Sequence, residues 1–514
     1  MALDKQSKRF APGYQGSENS GVELHVYSHG DDPFIQSSPG EILFDGRTRK
    51  DKNPSIVSVQ YQKALGQPSA NFVVQIQDPQ NTIRDRIADD DWVDLTFTRF
   101  GEKHHILRGM IDTIRESVTI INGASENVVE ITGRDHGKVW EQTQVFFNRF
   151  LVTDGRTVFN EALEASGAIN GSPSETVFAF LQFFLARLSR ESLSPSWVLP
   201  AGIPNIEQGA SFVRSVDFND RNGGHTNGIG FTNNPERITV NAWNFDPQGN
   251  QLWDLAQSWS DPQFCEMYTE LVDAKTGAIP DPGTAVDRTG TQMALIFRDR
   301  PFPYGDGGTE GAWWNLPTFN LTRQDLGNGT NVGRGGEERI NAFMSKIKGL
   351  NETAANQIEL TGVLADLESI KRHGPRIMSS MSDYVARAPT SLARFTNFQR
   401  TQLCDWFSLN PVFLNGTLPL ARGFPDIRVG TRVRVLGEEG PEDDVTYYVE
   451  GISHNWSLQQ GMRTTLTVTR GWRGTDDSLK AAIDKARSRF TFINGDASNP
   501  DVKRKSTFEE LSSG

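Results

Sequence analysis

A chain of 514 residues, 36% hydrophobic and 23% charged, has the composition of an ordinary folded protein. It is long enough for about three or four domains and is neither disordered nor membrane-embedded. Its formal charge of -12, from 52 basic and 64 acidic side chains, argues against a dedicated nucleic-acid binder, which concentrates Lys and Arg to displace counterions. Two cysteines, Cys265 and Cys404, exclude a disulfide framework or a four-cysteine metal site and read as buried free thiols.

Residues 1–20 are polar and expected to be loose; they carry basic residues without an apolar stretch, unlike a secretory signal. From Glu23 to Trp140 strand signals dominate: Ile56 to Tyr61, then Phe72, Val74 and Ile76 on one face, then Val93, Leu95 and Phe97. Short alternating strands at close spacing predict a sandwich or barrel. Asp89-Asp90-Asp91 reads as a solvated turn, because adjacent strand-edge residues point in opposite directions and cannot share one ion. Ile106 to Ile114 leads through Asn122-Gly123 into Asn127 to Arg134, a hairpin with a glycine, Gly109, inside its first strand.

Past Arg134 the period changes. Val139, Trp140, Phe146, Phe147 and Phe150 suggest a helix, and Thr157 to Ser166 continues in that mode. Ser172-Pro173-Ser174-Glu175 is a helix start: serine caps, proline takes the first turn, and glutamate reaches back. The helix that follows places Val177, Leu181, Phe184, Leu185 and Leu188 on one face, with Phe178, Phe180 and Phe183 outside it. Such an element is either deeply buried or lies between subunits. The run Thr176 to Leu188 is too short to span a bilayer, so no membrane insertion is expected.

Ser194 to Pro204 is a connector and Asn219 to Pro235 a long Gly/Asn loop that lacks the twelfth-position glutamate of a calcium loop; His225 within it has no second ligand nearby. Leu252, Leu255, Ala256 and Trp259 form a helical stripe stopped by Asp261-Pro262. Glu266 to Val272 and Met293 to Arg298 read as strands. The glycines between Gly327 and Gly333 lack dinucleotide-loop spacing. Leu392 to Phe407 is a helix carrying Phe395, Phe398, Leu403 and Trp406; Arg428 to Val435 is a strand and Gly437 to Asp444 an acidic loop.

Tyr447 to Arg473 is the clearest hairpin, with Tyr448, Glu450, Ile452 and His454 alternating against Val449, Gly451, Ser453 and Asn455, and Thr465, Thr467 and Thr469 against Leu466, Val468 and Arg470. Its mid-strand Gly451 repeats the pattern of Gly109, and both suit the corner of a small barrel better than a flat sheet. Ser478 to Phe490 reads as a helix, and the segment through Asp501 to Lys505 as a mixed-charge tail that either aids solubility or tethers a neighbour.

No nucleophile elbow, zinc-protease, P-loop or cysteine-histidine signature is present, and the eight histidines, His104-His105 included, lie scattered at non-ligand spacings. No catalytic, cofactor-binding or metal residue is assigned. A glycosidase needs only two carboxylates, which sequence alone leaves open.

Tyr447 to Gly471, with its tyrosine-valine-x-glycine strand, polar turn, threonine-rich strand and arginine-glycine, resembles the late hairpin of the central hub proteins of contractile-tail baseplates, the family that includes the T-even phage hub. The tryptophan helix, the Asp261-Pro262 stop, the acidic strand and Arg298 to Pro303 resemble the middle domain of such hubs, as do Ser369 to Arg376 and Gly423 to Gly430; the likeness runs from Asn53 to Arg473. It implies an α+β, β-rich fold with two tube-type antiparallel β-barrel domains and helical and mixed α/β insertions between them. The expected units are a flexible 1–20, a first tube barrel 21–140, a helical connector 141–215, a middle α/β insertion 216–391, a second tube barrel 392–475 and a C-terminal helix and tail 476–514.

The resemblance further implies a non-enzymatic homotrimer without cofactors in the virion baseplate. Its expected partners are itself, a tail tube or tube-initiator protein, a central spike protein, baseplate wedge proteins and a tape measure protein, with DNA passing through without sequence-specific binding. The alternatives are the hub of a secretion or bacteriocin machine and a peptidoglycan-degrading enzyme, the latter expected within the insertion between Arg134 and Leu392.

Overall fold

The computed structural model describes residues 20–28, 40–46, 55–83, 86–121, 124–142, 152–153, 156–157, 238–240, 251, 253–254, 257, 262–277, 279–281, 283–305, 309–347, 363–382, 384–386 and 389–493. The readings made for 1–19, the capped helix of 172–188, the connector and loop of 194–235 with His225, the Leu252 stripe and the tail from 494 lie outside them.

Seven strands come first: β1 (Ser20–Ser28), β2 (Gly40–Asp45), β3 (Ser55–Ala64), β4 (Asn71–Gln77), β5 (Trp92–Arg99), β6 (Glu102–Ile121) and β7 (Ala124–Asp135). They pair in the ring order β3-β2-β1-β5-β6-β7-β4, and β4 returns to β3, so the sheet closes into a barrel. The two-residue period does the work: Val22, Leu24 and Val26, Phe72, Val74 and Ile76, and Val93, Leu95 and Phe97 all enter one core. Gly109 is required by close approach, since a Cβ there would lie 2.2 Å from the Arg134 carbonyl oxygen.

A short helix, α1 (Lys138–Gln142), follows, then the two-residue strands β8 (Val152–Thr153) and β9 (Arg156–Thr157), and β10 (Ile238–Val240). The strands expected at 266–272 and 293–298 are β11 (Cys265–Asp273) and β12 (Thr291–Asp299), an antiparallel ribbon. Next come β13 (Thr318–Leu321), β14 (Asn331–Gly333), β15 (Ala342–Ile347), β16 (Val363–Ala365), α2 (Leu367–His373), β17 (Ile377–Ser382), β18 (Tyr384–Ala386) and α3 (Pro389–Phe407). The chain ends in β19 (Leu414–Pro419), β20 (Arg432–Val435), β21 (Val445–Ser457), β22 (Gly461–Arg473), α4 (Asp476–Arg487) and β23 (Thr491–Ile493). Asp366 and Thr475 cap α2 and α4 by accepting from the backbone N–H groups of Ser369 and Ser478.

β13, β20, β21, β22, β19 and β14 form the second curved set, and β17-β15-β16-β23 a separate four-stranded sheet. The fold is therefore α+β and β-rich, built on β-barrel domains. The order β5-β6-β7-β4-β3 recurs as β20-β21-β22-β19-β14, every neighbouring pair antiparallel and both sets in the same order along the chain. The likeness stops there, because β1 is antiparallel to β5 whereas β13 is parallel to β20. Residues 65–70 join β3 to β4; between β14 and β19 the chain instead makes an excursion over 334–413 that holds β15 to β18 and two helices. β13 and β14 belong by pairing to the second set although they lie within 216–391.

The strand expected from Arg428 starts only at Arg432. Gly430 takes a positive φ of 72°, and the Thr431 hydroxyl donates to the Arg428 carbonyl at 2.7 Å, so 428–431 is a turn.

Candidate functional site at the joint between the barrels

The two barrels share one sheet. β21 spends its first half on β20 and its second half on β3, with Gly451 to Ser457 antiparallel to Ala64 to Ser58. Trp456 and Met462 thereby enter the core of the first barrel. His454 stacks on Tyr61 at 5.8 Å, and its Nδ1 lies 2.9 Å from the Thr464 hydroxyl. Burial, with Arg428 and then His104 nearby, pushes its pKa down to about 3, so the imidazole is neutral.

The β11–β12 ribbon wedges across this joint. Along β11, Glu266, Tyr268 and Glu270 alternate with Met267, Thr269 and Leu271, and every one of these residues is buried. Glu270 joins the two halves: Lys63 of β3 donates to its Oε2 at 3.0 Å, and Arg428, in the turn before β20, donates to its Oε1 at 3.4 Å. The Leu271 amide donates to Oε1 at 2.9 Å. Burial raises the Glu270 pKa, but Lys63 and Arg428 outweigh it and hold the carboxyl below its ordinary value. Glu266 accepts from Arg298 at 2.8 Å and from the Tyr448 hydroxyl of β21 at 2.7 Å, while Arg298 also donates to the Gly430 carbonyl at 2.9 Å. On the other face the Thr269 hydroxyl donates to Asp135, at the end of β7, at 2.7 Å, and Leu271 and Met293 pack with Tyr27, Trp92, Met110 and Val139.

A second buried cluster ties the ribbon to the first barrel. Arg108 donates through Nε and Nη2 to the two oxygens of Asp94 at 2.7 and 2.9 Å, and Tyr27 donates to the same carboxylate at 2.9 Å. Arg288, just before β12, donates to the Tyr27 hydroxyl at 2.6 Å. His105 stands 3.2 Å from Asp94, bonds Thr291 through Nδ1, and its backbone amide donates to the Val286 carbonyl at 2.9 Å. Burial holds His105 below its ordinary pKa. Burial also lifts Asp94, but His105 and Arg108 outweigh that and keep it well below the carboxylate range. His105 is thus a buried strand residue of the joint.

Charges taken out of water are costly unless paired, and removing one partner leaves an uncompensated ion. An arrangement of this kind fixes one relative position of two bodies. Both cysteines, Cys265 and Cys404, are buried, and burial, then Asp405, pushes the Cys404 thiol far up, away from a reactive thiolate. Of the acidic tripeptide, Asp89 and Asp90 are exposed, Asp90 accepting from Lys138 at 2.6 Å, whereas Asp91 is buried and accepts from the Ala88 amide at 2.8 Å. The three do not converge. Sequence reading missed Lys63, Glu270 and Arg428, which meet across separations of 207 and 158 residues. The available signal was charge inside otherwise apolar alternation, at Lys63, Asp94, Arg108, Glu266 and Glu270.

Behind the joint, α3 packs on the second barrel through Leu403 and Trp406, both buried; the side chains of Phe395 and Phe398 lie outside the described residues. The Arg470 guanidinium lies 3.6 Å over the Trp406 ring and donates to the Trp406 carbonyl.

No family model matches the chain, and no curated protein matches it. Among solved structures it is similar to a tail protein from Neisseria meningitidis MC58, at 12% identity and TM-score 0.41, covering 88% of this chain and 96% of that one. It is similar to the 43 kDa tail protein of prophage MuSo2 from Shewanella oneidensis, at 13% identity and TM-score 0.44, covering 88% and 98%. A component of the type VI secretion system of E. coli matches at 9% identity and TM-score 0.34, covering 83% and 78%.

Proposed function

We propose that this chain is the structural hub of a contractile tail baseplate, acting as a homotrimer whose six barrels form a pseudo-sixfold ring. The ring would seat a hexameric tail tube or tube-initiator protein on one face and a trimeric central spike on the other, with wedge and tape measure proteins as further neighbours. The observation that carries the reading is the repeated five-strand order within one chain, held at a fixed joint by β3 and β21. Two like bodies per chain times three chains present six similar units, which resolves the mismatch between sixfold and threefold partners. The sequence resemblance over Asn53 to Arg473 points the same way. In this reading 21–140 and 392–475 supply the tube domains, the latter joined by β13 and β14.

The role is structural rather than catalytic, and a formal charge of -36, three times -12, would let DNA pass a lumen without sticking. The test is co-assembly of purified chain with its tube and spike proteins. A complex of three chains with one spike trimer under the first tube ring is expected; release of soluble fragments from peptidoglycan by the chain alone would favour a wall-degrading enzyme instead.

A further inference from the structure

Half of β21 is paired by β3, and the five-strand repeat says where the matching contact on β6 must come from. The end of the β21–β22 hairpin runs from Gly451 opposite Thr467 to Ser457 opposite Gly461, seven pairs. The end of the β6–β7 hairpin runs from Arg115 opposite Glu130 to Ile121 opposite Ala124, again seven. Following each hairpin outward across the sheet gives Arg115–Glu130–Gln75–Ser58 in one set and Gly451–Thr467–Thr417–Asn331 in the other. Ser58, Val59 and Gln60 of β3 are thus the counterparts of Asn331, Val332 and Gly333 of β14. The far side of β21 receives β3; among the described residues no strand pairs with the far side of β6 beyond Met110, nor with the far side of β14.

We propose that the β14 edge of a second copy of this chain pairs antiparallel with the β6 edge at 117–121, repeating between chains the joint that β3 and β21 make within one. The register follows from the internal joint, where Ser457 faces Ser58, Trp456 faces Val59, Asn455 faces Gln60, His454 faces Tyr61 and Ser453 faces Gln62. Between copies, Ile121 faces Asn331, Ile120 faces Val332, Thr119 faces Gly333, Val118 faces Arg334 and Ser117 faces Gly335. Exposure agrees. Val118 is 70% exposed, while its counterpart His454 is 1% exposed beneath β3. Nothing lies within 4 Å of where a Cβ would stand on Gly333 or Gly335, so the face of the sheet at this edge is uncovered there. The contact joins different surfaces of the two copies and therefore propagates around a ring until it closes. It also satisfies backbone groups that a bare edge leaves open.

This proposal rests on the ring reading, and the experiment separates the two. In the full chain, Val118→Cys with Arg334→Cys puts two thiols at directly opposed positions, where Cβ atoms come within about 5 Å and a disulfide can form. Oxidation is expected to give a covalent three-chain species on a non-reducing gel. Val118→Cys alone, and the out-of-register pair of Val118→Cys with Asn331→Cys, should stay uncrosslinked. Three chains by native mass without the cross-link would overturn the strand contact and leave the ring standing. Cross-linking by Val118→Cys alone would mean β6 pairs with itself, and a chain that stays monomeric at every concentration would equally overturn the proposal.

Discussion

Replacing Glu270 with Gln keeps the shape of the joint and deletes its central charge. Lys63 at 3.0 Å and Arg428 at 3.4 Å are then left as buried cations without their carboxylate. Breaking a buried ion pair by removing one partner costs roughly 3–5 kcal/mol. At about 2–4 °C per kcal/mol for bodies of this size, the thermal transition should fall by roughly 10 °C. Scanning calorimetry of wild type and Glu270→Gln reads this directly. The sign against pH gives an internal check. The Glu270 pKa is depressed on folding, so its contribution is complete above the ordinary 4.5 and is lost as pH falls through the lower folded value. The gap between the two proteins should be widest near neutral pH and narrow in acid. A shift under 2 °C at pH 7, or a gap that widens in acid, would refute the idea that this triad clamps the barrels.

The other expectations are separable. Gly109→Ala should cost about 2 kcal/mol or more in urea unfolding, since its Cβ meets a carbonyl at 2.2 Å, whereas Gly451→Ala, whose nearest neighbour is a Thr467 side chain at 3.2 Å, should change stability by under about 1 kcal/mol. Trp456→Ala should remove roughly 3–5 kcal/mol and split the melting curve into two transitions, because that ring is the second barrel's insertion into the first core. Asp405 is lifted by burial to about 7 despite Arg487 at 3.0 Å. Its contribution is therefore present below the ordinary 3.8 and lost as pH rises toward 7, and Asp405→Asn should gain on wild type from pH 4 to 7 and hold that gain at pH 8.

Periodicity reached the barrels because half-buried strands write their burial into alternation: β3, β4, β5 and the β21–β22 hairpin all lie where Ile56, Phe72, Val93 and Tyr448 place them. It could not reach the joint, because nothing local tells Glu270 that Lys63 and Arg428 will meet it. The hairpin glycines looked equivalent in sequence, yet only Gly109 is forced by backbone contact; Gly451 sits at a register shift in β21. Arg428 to Val435 looked like one strand because a four-residue turn ending at Thr431 keeps the apolar rhythm of its neighbours. His105 was passed over because a histidine without a second ligand in sequence gives no sign of a buried carboxylate on the adjacent strand.

The central claim is that one chain supplies two similar bodies so that three chains imitate six. Electron microscopy of the chain assembled with its spike tests this most directly. Three chains should give a ring of six barrel-shaped densities about 60° apart, alternating between two slightly different forms. Six chains in the ring, or three barrels with the remaining density off the axis, would contradict it.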